Sequence, residues 1–300
     1  MGKKANFKRE YTRMLSSQTH FGESKHLAKQ KALKEAKEQG VSYKPIKGIY
    51  SKQTYKTYCK GCEQFSNYLR EHHPKVKKFA DGEKYISEWL YSLDKRSAWT
   101  INTYASAVAC AFHLDKTQLD FQFPKRQRAD ITRSRDPIIS YRDTSPKYED
   151  AITFAKATGA RRCGIMRVTT NDLRQRDDGT YEVFLREKNN MSGWRQVLPK
   201  YQDQILDIFK NSPGYKTENE IRLFAKNSLP SELHHYRGEY VCDLYRYYEE
   251  QGIHTTGRMY HCRGDMAGLT FDKGILEAVS EQVFHHRLDV IVTNYLYNYK

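Results

Sequence analysis

The sequence predicts a mainly α protein (α+β) with one small antiparallel β-sheet, built as two domains. Three observations predict it. Apolar residues recur at helical spacing through residues 51–114, three short alternating runs between residues 172 and 198 are separated by turn residues, and helical spacing resumes after Tyr201. The length of 300 residues sets the domain count, because a single hydrophobic core stops growing near roughly 250 to 300 residues.

Residues 1–45 read as a basic amino-terminal arm, with eleven Lys or Arg against four Glu. Within it, residues 24–39 have helical composition and Gly40 is a natural stop, but the apolar face is thin, so ordering on a partner is expected. Residues 46–123 form a helical domain. Its first stripe is Tyr55, Tyr58, Cys62, Phe65 and Leu69, interrupted by Pro74. A second runs through Tyr85, Ile86, Trp89, Leu90 and Leu93, and a third through Ile101, Tyr104, Ala105, Val108 and Phe112. Residues 124–139 read as a basic linker. It holds Lys125, Arg126, Arg128, Arg133 and Arg135 and almost nothing to bury, which suits a strap along a phosphate backbone. Residues 140–300 form the second domain. A helix over 146–158 leads to Gly159, strands are expected at 172–176, 181–188 and 194–198, and helices at 201–211, 218–226, 231–251 and 273–284.

Charge narrows the partner. Lys and Arg number 51 against 36 Asp and Glu, a net +15 that calls for a polyanion. No apolar run approaches the ~18–20 residues that span a bilayer, and no charged-then-apolar leader opens the chain. The expectation is a cytoplasmic, nucleoid-associated protein with no membrane partner and six reduced cysteines. Cys59 and Cys62 form a CxxC without a second ligand pair at zinc-site distance, and read as packing residues.

The chemistry lies in the second half. In order stand Thr158-Gly159-Ala160-Arg161, Lys188 at a strand end, His234-His235-Tyr236-Arg237 opening a long helix, His285-His286-Arg287, and Thr293-Asn294-Tyr295. Guanidinium forks match the non-bridging oxygens of a phosphodiester, a phenol can attack phosphorus, and a lysine or histidine can protonate the departing oxygen. A phosphotyrosine keeps the energy of the cleaved bond, so rejoining needs no ATP.

In order and spacing these residues resemble the tyrosine recombinase, or phage integrase, family. The resemblance covers about residues 45–300, with its specific motifs confined to 158–295. It implies that Arg161 holds the scissile phosphate and that Lys188 is the general acid. His234 and Arg237 would add proton transfer and the second guanidinium. His286 is implied as the third-box histidine and Tyr295, nine residues on, as the nucleophile. It further implies a metal- and ATP-independent strand transferase without cofactor. Residues 46–123 would be a core-binding domain that clamps duplex DNA together with the catalytic domain. The partners implied are double-stranded DNA with specific core sites, a homotetramer on it, and accessory DNA-bending proteins.

Four departures stand out. Gly164 and Gly238 replace an acidic residue and a His or Lys, Phe284-His285 replaces Leu-Gly before His286, and Arg237 to His286 spans about twice the usual gap. The excess, residues 253–274, looks like an inserted hairpin of the kind carried by some mobile-element integrases. Arg162 competes with Arg161, and Tyr297 and Tyr299 with Tyr295. His254, His261, Cys262 and Asp265 form a weak candidate metal set. A type IB topoisomerase and a non-catalytic DNA-binding protein stand as alternative functions.

Overall fold

A computed structural model describes residues 6–127, 130, 145–188 and 191–299, and divides the chain into two units, 1–127 and 128–300. Of the expected linker, Arg128, Arg133 and Arg135 lie outside the described residues, whereas Lys125 and Arg126 are exposed and in no regular element.

The first unit is helical: α1 (Phe7–Ser16), α2 (Lys25–Glu38), α3 (Lys52–His72), α4 (Ile86–Tyr91) and α5 (Ala98–Ala111). Serines set two of the starts. Ser51 accepts the Thr54 N–H at 3.0 Å, and Ser97 accepts the Thr100 N–H at 3.2 Å, each satisfying a donor the helix leaves open. The three stripes meet at Phe65, whose ring lies 5.0 Å from Trp89 and 6.3 Å from Phe112. The amino-terminal reading needs correction. Phe7, Tyr11 and Leu15 of α1 are buried in this same core, and the Phe79 N–H donates to Glu10 Oε2 at 2.6 Å. Residues 7–16 therefore belong to the helical unit, because three apolar side chains at i, i+4 and i+8 give α1 a stripe of its own. α2 matches the expected 24–39 helix and buries no residue.

The second unit holds α6 (Glu149–Thr158), α7 (Arg162–Ile165), β1 (Leu173–Gln175), β2 (Tyr181–Arg186), β3 (Ser192–Gln196), α8 (Gln202–Lys210), α9 (His234–Gln251), β4 (Met259–His261), β5 (Thr270–Asp272), α10 (Lys273–Gln282) and α11 (Leu288–Asn294). β1, β2 and β3 form the expected antiparallel sheet in sequence order, with Val183 opposite Leu173 on one side and Arg195 on the other. β4 and β5 pair antiparallel inside 253–274, so this segment is a hairpin. The expected helix over 218–226 is absent. The segment is extended instead, with the Leu223 N–H donating to Val168 O and the Thr170 N–H to Ile221 O, both at 3.0 Å. Pairing with the loop after α7 overrides its helical composition. One apolar cluster joins α6, the sheet and α8, and the other joins α9, α10, α11 and the hairpin. Among the described residues no helix is long and apolar enough to cross a membrane.

Gly159 fixes where the site begins. It ends α6 in the left-handed region at φ +59°, and a Cβ there would lie 2.5 Å from Tyr240 Cδ1. Only glycine allows the turn and the close approach of α6 to α9.

Candidate active site

The site is organised around a residue the motif reading passed over. Glu187 follows β2, and its side chain is wholly buried. Its Oε1 accepts from the Arg161 backbone N–H at 3.0 Å, from Arg195 Nη1 at 3.1 Å and from Arg237 Nη1 at 3.3 Å. Its Oε2 pairs with Arg161 Nη1. Burial pushes this carboxyl up, but Arg195, Arg237 and Arg161 outweigh it and hold the group at about 2.

Each arginine arrives from a different element. Arg161 stands just before α7, and its side chain is 24% exposed. Its neighbour Arg162 points elsewhere, donating to Pro230 O at 3.3 Å, which places Arg161 and not Arg162 in the cluster. Arg237 lies one turn into α9 and is sealed from solvent. It donates to Gly159 O at 2.7 Å and to Val283 O, so it reaches Glu187 from the interior of the unit. Arg195 fills a core-facing slot of β3 opposite Val183 and is equally buried. Burial and the charge of Arg237 lower it to about 10. Its guanidinium lies over the Phe284 ring at 4.6 Å.

Of the two adjacent histidines, His285 and not His286 faces Arg161 and Tyr295. His286 is exposed, whereas His285 is turned inward, its Nε2 lying 3.3 Å from Arg161 Nη2 and 3.0 Å from the Tyr295 hydroxyl. The backbone explains the difference. Phe284 adopts φ +52° and His286 φ +53°, and these left-handed residues on either side aim His285 into the site. Phe284 is held there by packing on Arg195 and against Gly193, where a Cβ would lie 3.2 Å from its ring. A guanidinium can only donate, so His285 Nε2 faces Arg161 as an acceptor, and the Tyr295 hydroxyl lies within hydrogen-bond distance of the same nitrogen. Burial first, then Arg237 and Arg161, lower His285 to about 4, leaving it neutral at pH 7.

Tyr295 follows α11 and is 7% exposed. The competing tyrosines face elsewhere: the Tyr299 hydroxyl donates to Glu249 Oε2 at 2.8 Å, and Tyr297 packs on the second apolar cluster. His234 opens α9 at the mouth of the site, its ring centroid 6.1 Å from that of Tyr295 and edge-on to it. Crowding by protein, then Arg237 and Arg161, lower its pKa. Lys188 is exposed immediately after Glu187. Arg161, Arg237, His234 and Tyr295 are thus brought together, Lys188 emerges next to the carboxylate that binds the arginines, and His286 is left outside. Among the described residues no cluster of three or more His, Cys, Asp and Glu forms a metal site.

Glu187, Arg195 and His285 were missed by motif spacing. A sequence signal existed for two of them: an arginine in an alternating strand's apolar position, and a second histidine adjoining the first.

No family model matches the sequence, and no curated protein matches it. Solved structures do. The XerH site-specific recombinase bound to palindromic difH substrate in a post-cleavage complex is 13% identical, with 98% of this chain and 92% of that chain covered and a TM-score of 0.50. The pre-cleavage XerH complex with difH substrate is 12% identical over 96% and 91%, also at 0.50. The Tn1549 transposon integrase with circular intermediate DNA is 14% identical over 97% and 95%, at 0.41. The chain has the fold of the tyrosine recombinases.

Proposed function

We propose that this protein is a site-specific DNA strand transferase that cuts and rejoins duplex DNA through a 3′-phosphotyrosyl bond. One observation carries the reading: the Tyr295 hydroxyl and the Arg161 guanidinium converge on the same nitrogen of His285. A nucleophile, a proton acceptor and a phosphate-binding fork lie within two hydrogen bonds of one another.

The chemistry follows from that arrangement. The Tyr295 oxygen attacks the scissile phosphorus, and His285, neutral and already bonded to the hydroxyl, takes its proton. Arg161 and His234 meet the non-bridging oxygens, while Arg237 and Arg195 add positive charge from below. As the bond to the 5′ oxygen breaks, Lys188 supplies the proton that oxygen needs. The 5′ hydroxyl of a partner strand reverses the steps and releases Tyr295. A net +15 chain with exposed Lys125 and Arg126 suits duplex DNA as substrate. Strand exchange between two duplexes calls for four protomers, and integration or excision of a mobile element is the outcome favoured by the hairpin at 253–274.

The target is unspecified, so the test uses a pool of nicked duplexes with a randomised central segment. The wild-type protein is expected to become covalently attached to a subset, resolved on a denaturing gel, without added metal or ATP. Tyr295→Phe should bind the same subset and attach to none of it. Attachment by Tyr295→Phe would overturn the nucleophile, and failure of the wild type to attach would overturn the reaction. Relaxation of plasmids lacking any captured sequence would favour a topoisomerase.

A further inference from the structure

We propose that Glu187 is the positioning residue of this site: one carboxylate, delivered from the end of β2, holds Arg161, Arg195 and Arg237 in a fixed array and ties Lys188 to it. The proposal rests on the strand-transfer reading above.

Glu187 uses both oxygens. Arg161 binds it twice, by its backbone N–H and by Nη1, so the carboxylate sets the chain path into α7 as well as the guanidinium it presents. Arg195 and Arg237 reach Oε1 from β3 and α9. Three guanidiniums so close repel one another, and the anion between them is what lets them converge. One carboxylate against three cations leaves two positive charges in excess. Three buried donors, Arg195 Nε, Arg195 Nη2 and Arg237 Nε, also lack a protein partner. The excess charge suits a phosphodiester arriving above Arg161, the one member of the array that is partly exposed.

Two contacts extend the role. The Glu187 N–H donates to Met191 O at 2.7 Å, and Arg167 Nη1 donates to Glu187 O at 3.4 Å. With side chain and backbone both held, Lys188 leaves the chain from a fixed point. Gly164 provides the space, since a Cβ there would lie 3.3 Å from Glu187 Cγ and 3.6 Å from its Oε1. A carboxylate could reach this spot from position 164 or from position 187, and this chain delivers it from 187.

The test uses the full-length protein and one duplex captured by the wild type. Glu187→Gln keeps the shape and removes the charge. It is expected to slow single-turnover attachment on the order of 10²- to 10³-fold while duplex affinity stays within about threefold. A Glu187→Ala, Gly164→Glu double variant should recover at least tenfold of the rate lost in Glu187→Ala, a rescue that a merely structural role would not give. Attachment by Glu187→Gln within threefold of wild type, or a loss of affinity as large as the loss of rate, would overturn the proposal. Arginine side-chain NMR separates its failure from that of the reaction. Even if no duplex is captured, Glu187→Gln should speed Nη–H exchange of Arg195 and Arg237, the hydrogens that Glu187 holds, at least tenfold, and unchanged exchange would sink the organising role.

Discussion

Residues 6–127 fold around the rings of Phe65, Phe79, Trp89 and Phe112, whereas the second unit sets Glu187 and three guanidiniums among its apolar clusters. The first arrangement is what stability alone selects, since burying a phenylalanine contributes about 1.5–3 kcal/mol and needs no partner of exact geometry. The second is not. Desolvating four charges costs several kcal/mol per ion, and a buried ion pair is often no more stable than apolar residues of the same volume. A cluster that folding does not require, and that carries excess positive charge, is where a functional site is expected.

The comparison breaks most sharply at its two centres. Glu187→Ala should destabilise by about 3–5 kcal/mol because it leaves buried cations without their anion, and Phe65→Ala by about 3–5 kcal/mol through loss of packing. Acid separates them. Glu187 is held at about 2 against an ordinary 4.5, so its contribution, about 3 kcal/mol, is complete above pH 4.5 and disappears as pH falls through about 2. Urea midpoints measured from pH 7 to 2 should show that slope in Phe65→Ala and lose it in Glu187→Ala. Equal slopes would mean that the carboxylate is not the counter-ion proposed.

The next effect lies within the second unit, between adjacent histidines. His285→Ala should slow covalent attachment on the order of 10²-fold, and His286→Ala should leave it within about threefold. The pH profile has a defined sign. Protonating His285 removes the lone pair that accepts the Tyr295 proton, so attachment by the wild type should fall as pH drops through about 4 and be insensitive to this group at neutral pH. A large effect at His286 instead would restore the register that the spacing suggested.

How much of this was legible follows the same divide. The three stripes, the antiparallel sheet and the inserted hairpin were readable because each is a local period or turn signal. Arg161, Arg237 and Tyr295 were readable as an ordered set, although no single member was informative. Glu187 and Arg195 were not, because their meaning is mutual and depends on which strands pair. His285 was hidden by the neighbouring His286, and only the left-handed backbone at Phe284 decides between them. Residues 218–226 were misread since helical composition says nothing of the extended partner at Val168 and Thr170.

Gly159→Ala should cost about 1–3 kcal/mol, through a left-handed φ and a Cβ driven into Tyr240. Because Arg161 lies two residues on, attachment should fall with stability, and a thermal shift without loss of rate would separate the α6–α9 contact from the site.

The smallest expected effect, at Leu27, sharpens the first unit alone when set beside Phe7. Phe7 and Leu27 are both large apolar residues of the basic amino-terminal segment, and composition does not distinguish them. Phe7 is 1% exposed in the aromatic core, whereas Leu27 is 67% exposed on a helix that buries nothing. Phe7→Ala should therefore destabilise by about 3–5 kcal/mol, and Leu27→Ala should stay within about 0.5 kcal/mol, both read from urea unfolding of the whole chain. A cost at Leu27 approaching that at Phe7 would place α2 in the folded core. A negligible cost at both would return residues 7–16 to the arm, since a stripe that packs on nothing has no stability to lose.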